Sequence, residues 1–227
     1  MARRATQPVG RATVSTRLPG IPWLAAGAVV IVLLIVGFFV LRPTGPGGTG
    51  IAGCPSGQPP ALGAGQTRTV TLATPKGSIV IKVEANLSPI AAGNFVALAS
   101  CGFFNGTLFY RTPTLPDGTA FVIQGGAPPG TKTGGPGYLI KDEPVTATYK
   151  RGTVAMARSG APNSVGSQFF IVLDDKDAET LSAANTYQII GNVTTGMEAA
   201  DAIFAASNGV ELPANPIKVT TATVANP

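Results

Sequence analysis

The chain has 227 residues, of which 44% are hydrophobic and only 12% are charged, with 29 glycines and 20 prolines. The net charge of +5 is not gathered into a basic stripe interleaved with aromatic residues, so the composition does not indicate a nucleic-acid-binding protein. The chain has no histidine and only two cysteines, which excludes Ser-His-Asp hydrolysis, Cys-His proteolysis, His-ligated metals and four-cysteine zinc sites. We therefore expect neither a metal site nor a cofactor.

An apolar segment near the N-terminus predicts a membrane anchor. Residues 24–41 carry no polar side chain, and with residues 21–23 the run reaches the roughly 20 residues that span a bilayer. A buried core helix and a cleaved signal peptide are the alternatives, although the apolar region of a signal peptide is usually about 7–15 residues long. Four arginines lie within the first 20 residues, so the positive-inside rule predicts a cytoplasmic segment 1–20, a transmembrane helix 21–41 and an exported remainder.

A Gly/Pro-rich segment, residues 42–66, follows the apolar run and is typical of a linker that holds the next domain away from the membrane. Cys54 lies in this segment, and Cys101 lies in the domain that follows. Two cysteines can pair outside the cytoplasm, so a Cys54–Cys101 disulfide is a candidate, with two unpaired thiols as the alternative.

From residue 67 onward the pattern is rich in β-strands. The segments TRTVTLAT (67–74) and GSIVIKVE (77–84) alternate in hydrophobicity, and the turn between them predicts a hairpin. Residues 88–100 predict a helix with Ser88 as N-cap and Pro89 at the first helical position. Ala91, Phe95 and Leu98 fall on one face of that helix.

Short strands and one further helix follow. The predicted strands are LFYR, FVIQGG, GTVAMA, SQFFIVL, YQIIGNV and IKVTTATV, and the helix is GMEAADAIFAA. The acidic segment DDKDAE (174–179) lacks the glycine and the closing glutamate of a calcium-binding loop, so a solvated loop is expected there. This pattern predicts an all-β domain over residues 67–227, a closed barrel with helical caps.

Five motifs occur in a fixed order: F-x-R at 109–111, FVIQGG at 121–126, GGPGY at 134–138, RGTVAMA at 151–157 and GSQFFI at 166–171. Together they resemble the cyclophilins, the cyclophilin-type peptidyl-prolyl cis–trans isomerases, from about residue 67 to 225. The resemblance implies an eight-stranded antiparallel closed barrel capped by two α-helices, with a groove that binds an Xaa-Pro peptide. With the anchor, it favours a bacterial, membrane-bound member of the family.

The resemblance also implies roles for individual residues. Arg111 matches the catalytic arginine, and Gln124 matches the glutamine beside it. The positions that match the hydrophobic proline pocket are Phe121, Val122, Phe170 and Leu181. The positions that match contacts along the rest of the groove are Ala157, Arg158, Gln168 and Tyr187.

The implied chemistry suits a protein without histidine. Rotation about a peptide bond is opposed by amide resonance, with a barrier of roughly 18–20 kcal/mol. A fixed guanidinium directed at the prolyl nitrogen favours a localised lone pair, which lowers the double-bond character of the bond that rotates. No proton transfer, nucleophile or metal is required.

The sequence departs from the family pattern at several positions. Tyr110 stands where the family often has histidine, Arg158 replaces an asparagine, and Thr180 occupies the place of a tryptophan in the eukaryotic pattern. Extra residues between Arg111 and Phe121 lengthen a loop at the groove. Because a large ring contact is missing at Thr180, weak binding of cyclosporin is expected.

Three functions are compatible with these observations. The first is an isomerase that helps unfolded exported proteins to fold by acting on their Xaa-Pro bonds. The second is a module that binds proline-containing peptides with little turnover, and the third is a structural protein of the cell envelope. The intact arginine, glutamine and phenylalanine positions favour the isomerase.

Overall fold

The computed structural model describes residues 50–226, which contain nine β-strands and three α-helices. The strands are β1 (Thr67–Thr74), β2 (Gly77–Glu84), β3 (Leu108–Phe109), β4 (Val122–Gly125), β5 (Thr153–Met156), β6 (Phe169–Val172), β7 (Ile189–Thr195), β8 (Ile217–Lys218) and β9 (Thr221–Ala225). The helices are α1 (Pro89–Ser100), α2 (Asp177–Ala184) and α3 (Met197–Ala205).

Seven strands form one antiparallel sheet in the order β4-β6-β5-β7-β2-β1-β9, and β3 pairs with β8 in a small second sheet. The predicted β1–β2 hairpin is confirmed, with Thr74 opposite Gly77 at the turn. The large sheet curves into a half-barrel. A bridge between Arg111 and Gln124 connects the chain just after β3 to strand β4.

The expected closed barrel of eight strands with two helices is therefore wrong in its details. The predicted single strand IKVTTATV is interrupted at Val219 and Thr220, so that β8 pairs with β3 while β9 pairs with β1. The acidic segment that was expected to be a solvated loop runs into a third helix, α2. The two end strands of the large sheet, β4 and β9, are not hydrogen-bonded to each other.

Helix α1 begins at Pro89, as predicted, but its N-terminus is capped differently. The Ser88 side chain makes no capping hydrogen bond. Instead the carboxylate of Glu143 accepts hydrogen bonds from the backbone N–H groups of Ile90, at 2.8 Å, and Ala91, at 2.9 Å. A negative charge at this position also interacts favourably with the helix dipole.

The alternation of side chains along strands β4 to β7 creates two separate apolar clusters. Inward residues such as Phe169 pack with Phe95 of α1 and Phe104, with ring centroids 5.2 and 5.5 Å apart. Neighbouring residues such as Phe170 point to the opposite face, because successive side chains of a strand alternate. This opposite face carries the second cluster, against which Leu181 of α2 packs.

The segment before β1 packs against the domain over much of its described length. Leu62 is buried, and its backbone N–H donates to the carbonyl of Pro89 at 2.9 Å. Gly93 of α1 is in close contact with this segment, since a Cβ atom there would lie 2.3 Å from the carbonyl oxygen of Pro60. Cys54 and Cys101 form a disulfide with their Cα atoms 5.1 Å apart. Residues 50–66 thus lie along α1, although the sequence assigns them to a linker.

The predicted cytoplasmic segment and the predicted transmembrane helix, residues 21–41, lie outside the described residues. Between residues 50 and 226, no helix has the length and hydropathy needed to cross a membrane.

Asp177, the first residue of α2, is a buried carboxylate whose titration should be visible in the stability of the protein. Its Oδ2 atom accepts a hydrogen bond from the backbone N–H of Asp174 at 3.0 Å, whereas Oδ1 has no partner in the described part of the chain. Burial raises the pKa of Asp177 from 3.8 to about 7, and the hydrogen bond from Asp174 opposes that rise.

We expect Asp177→Asn to gain stability relative to the wild type as the pH rises from 5 to 8. The folded wild type holds a proton at Asp177 that the unfolded chain has lost, so its unfolding free energy falls through this window by at most about 1.4 kcal/mol per pH unit. Asparagine keeps the acceptor for Asp174 and does not titrate. Urea unfolding of both proteins at pH 5, 6, 7 and 8 would measure the difference. A difference that does not change with pH would show that Asp177 has an ordinary pKa.

Candidate active site

A pocket lies over the second apolar cluster, on the face of β4, β5 and β6 that points away from α1. Nine of the ten groove residues predicted from the sequence line it together: Arg111, Phe121, Val122, Gln124, Ala157, Arg158, Phe170, Leu181 and Tyr187. They come from six separate stretches of the chain, so only the folded domain brings them together. The tenth residue, Gln168, lies behind the pocket.

The side chains of the apolar wall are buried and packed against one another. Phe121 is fully buried, and Phe170 and Leu181 are nearly so. The rings of Phe170 and Tyr187 meet edge to face, with centroids 5.3 Å apart. Burial raises the pKa of Tyr187, so its hydroxyl stays protonated in the physiological range.

Arg111 is the one cation of the pocket that is almost fully buried, with 3% of its surface exposed. Its Nε donates to Oε1 of Glu211 at 2.7 Å, and its Nη2 lies 2.6 Å from the same oxygen. Its Nη1 donates to Oε1 of Gln124 at 3.1 Å. The guanidinium is thus held from two sides, and of its five N–H groups two have no partner within residues 50–226.

Gln124 belongs to a chain of hydrogen bonds that runs behind the pocket. Because its Oε1 faces Arg111, its Nε2 donates to the hydroxyl of Tyr110 at 3.0 Å and to Oε1 of Gln168 at 3.2 Å. The Tyr110 hydroxyl donates to the same Gln168 oxygen, and Nε2 of Gln168 donates to the carbonyl of Gly134 at 2.9 Å. Each amide therefore has a single orientation that satisfies its neighbours.

Tyr110 contributes to this network as a neutral donor. Burial raises its pKa well above the ordinary value, against the opposing effects of the Arg111 charge and the hydrogen bond with Gln124. It therefore occupies the place of the expected histidine without adding a group that titrates near neutral pH.

Arg158, the other cation at the pocket, directs its charge away from the apolar wall. Its Nη2 lies 3.0 Å from Oδ2 of Asp142 and donates to the carbonyl of Ala161 at 2.8 Å. Its guanidinium is therefore engaged by the loop before β5 as well as by the loop after it. The neighbouring Ala157 donates its N–H to the carbonyl of Gln168 at 2.9 Å, which aligns the segment with β6.

The family model for cyclophilin type peptidyl-prolyl cis-trans isomerase/CLD matches residues 69–224, which is more than half of the chain. The chain belongs to the cyclophilin family.

This cyclophilin is 42% identical over 112 residues to a peptidyl-prolyl cis-trans isomerase of Helicobacter pylori, across 48% of this chain and 65% of that protein. The chain thus spans just under two thirds of the Helicobacter relative. It is 34% identical over 179 residues to a probable peptidyl-prolyl cis-trans isomerase A of Mycobacterium leprae, across 70% of this chain and 93% of that protein.

Its fold is also similar to that of a Cryptosporidium parvum cyclophilin type peptidyl-prolyl cis-trans isomerase. The crystal structure of that protein matches with a TM-score of 0.60 and 28% identity, and covers 71% of this chain and 99% of the other. A second crystal structure of that protein was determined in the presence of the dipeptide Ala-Pro.

Two residues of the site are absent from the sequence-based set. Glu211 lies 100 positions after Arg111, in an irregular loop with no periodic pattern, so only the fold reveals their contact. Leu115, in the loop that is longer than the family pattern, packs into the second apolar cluster, and the loop closes through a hydrogen bond from its N–H to the carbonyl of Thr119 at 2.8 Å. An isolated apolar residue in a Pro- and Gly-containing loop gives no such signal in the sequence.

Proposed function

We propose that this cyclophilin catalyses cis–trans isomerisation of Xaa-Pro peptide bonds in unfolded exported proteins. The observation that carries the proposal is a buried arginine, Arg111, that lines a pocket whose other walls are mainly aromatic and aliphatic. The crystal structure of the Cryptosporidium parvum relative in the presence of the dipeptide Ala-Pro supports a proline-containing ligand.

In this proposal the apolar wall holds the proline ring while the preceding part of the peptide rotates. Phe121, Phe170 and Leu181 supply apolar surface without a competing hydrogen-bond partner. The guanidinium of Arg111 donates to the prolyl nitrogen as its lone pair becomes localised, an interaction that strengthens only in the transition state. Because Gln124 and Glu211 already fix the guanidinium, little reorganisation is needed when the peptide arrives.

The test is exchange spectroscopy by NMR on a short Xaa-Pro peptide with a small amount of the full-length chain in mild detergent. Uncatalysed isomerisation takes about 10–100 s, so exchange cross-peaks within one second require a catalyst. We expect such cross-peaks for the wild type. Peptide resonances that shift on titration without exchange would instead identify a proline-binding module.

We also propose that residues 21–41 anchor the chain and that the domain lies outside the cytoplasm. The disulfide between Cys54 and Cys101 supports this, since disulfides persist in oxidising compartments and are rare in the cytosol. Protease added to spheroplasts that contain the protein should digest the domain while a cytoplasmic marker stays intact. Protection of both proteins until the membrane is lysed would contradict the proposal.

A further inference from the structure

Glu211 reaches the pocket through a turn that follows helix α3. Asn208 and Gly209 both have left-handed backbone conformations, with φ of 52° and 77°, and reverse the chain there. The next residues are then fixed beside the catalytic arginine by Thr112. Its N–H donates to the carbonyl of Glu211 at 2.8 Å, and its hydroxyl donates to the carbonyl of Val210 at 2.9 Å.

We propose that Glu211 is a positioning residue of the active site, whose carboxylate holds the Arg111 guanidinium in the orientation that acts on the prolyl bond. The inference rests on the proposed isomerase function. Glu211 and Gln124 contact the guanidinium at three different N–H groups, so together they fix its plane. Without Glu211, the single contact with Gln124 would leave the guanidinium free to rotate about it.

The exposed fractions of Arg111 and Glu211 indicate that Glu211 positions the guanidinium more than it stabilises the fold. Arg111 is 3% exposed, but the side chain of Glu211 is 46% exposed and its Oε2 makes no hydrogen bond within residues 50–226. Removing a carboxylate that is already half solvated should destabilise the fold less than breaking a fully buried ion pair. A guanidinium held in place before the peptide binds does, however, favour catalysis, because small errors in the position of a catalytic group reduce rates steeply.

The experiment compares Glu211→Ala, Glu211→Gln and Asp201→Ala in the full-length chain. Asp201 is a matched control, since it pairs with Arg151 at the same 2.6 Å and its side chain is 48% exposed, but it lies on α3 outside the pocket. We expect Glu211→Ala to lower kcat/KM by about ten-fold or more with the Kd of the peptide unchanged. Glu211→Gln should stay within about three-fold of the wild type, because its amide oxygen can still accept from Nε and Nη2. Asp201→Ala should match the wild type.

A second measurement does not depend on activity. In ¹⁵N-labelled protein, the Nε–H of Arg111 should give a slowly exchanging resonance in the wild type and in Glu211→Gln, and should lose that protection in Glu211→Ala. If the wild type shows no isomerisation, the proposed function fails while this resonance still tests the positioning.

Several outcomes would overturn the inference. If the activity of Glu211→Ala equals or exceeds that of the wild type, the carboxylate does not contribute to catalysis or competes with the peptide for the Arg111 guanidinium. Equal losses of activity in Glu211→Gln and Glu211→Ala would show that the negative charge of Glu211 supports catalysis, and not its oxygen as a hydrogen-bond acceptor. If the alanine variant does not fold, Glu211→Asp takes its place. The shorter side chain withdraws the acceptor, so we expect Glu211→Asp to lose both the rate and the Nε–H protection. Glu211→Gln should retain both.

Discussion

Replacing Arg111 with alanine should lower kcat/KM for an Xaa-Pro peptide by about 10²–10³-fold, the range found when one preorganised donor is removed from a site that stabilises developing charge. The fold should survive. Arg111 lies on the pocket wall, and Glu211, its ionic partner, is half exposed and can be solvated when the guanidinium is gone. Exchange spectroscopy measures the rate, and circular dichroism and urea unfolding verify the fold.

Two further variants test whether the effect is specific to the guanidinium of Arg111. Arg111→Lys keeps the positive charge, but one ammonium cannot replace a planar fork that contacts Glu211 and Gln124 together, so most of the activity should still be lost. Arg151→Ala removes a surface arginine from an ion pair of the same length and should leave the rate unchanged. Turnover by Arg111→Ala at the wild-type rate would remove the arginine from the mechanism.

Removal of the disulfide should lower the free energy of unfolding by about 4 kcal/mol. Cys54 and Cys101 are 47 residues apart, and the chain-entropy model gives this value for a cross-link that closes a loop of that length. The variant Cys54→Ala/Cys101→Ala also loses the fixed position of the segment that carries Leu62 over α1. Urea unfolding with and without dithiothreitol would measure the loss.

The double variant provides the control for this prediction. Its unfolding midpoint should equal that of the reduced wild type and should not respond to dithiothreitol. Both cysteines pack against the first apolar cluster, whereas the pocket lies over the second, so the folded fraction should keep its isomerisation rate. An unfolding midpoint unaffected by reduction would show that the pairing contributes nothing to stability.

The sequence predicts most of this fold because its local signals agree with the tertiary contacts. The alternation of β1 and β2 and the position of Pro89 at the start of α1 are examples in which local preference and packing coincide. The division of the last strand between Lys218 and Thr221 has no local signal, since both parts contain β-branched residues and only their different partners separate them. Likewise, the Glu143 cap of α1 is 53 positions away in sequence, so Ser88 is the only capping candidate that the local pattern offers.

Most residues of the pocket can also be predicted from the sequence, as most of the fold can, but for a different reason. Residues such as Phe121 and Gln124 occur within contiguous motifs, so the family resemblance identifies them directly, and both line the pocket. The resemblance does not specify what surrounds the arginine. Glu211 comes from a loop outside every motif, and the geometry of its contact depends on Thr112 and on the turn at Gly209.

The way the N-terminal segment joins the domain also limits how far the domain could extend from a membrane. If residues 21–41 anchor it, only residues 42–49 separate the anchor from the segment that lies along α1. Those eight residues reach at most about 28 Å even when fully extended, whereas a free spacer over residues 42–66 would reach about 88 Å. The domain would then stay within a short radius of the bilayer surface, and its pocket would reach only peptide segments close to the membrane.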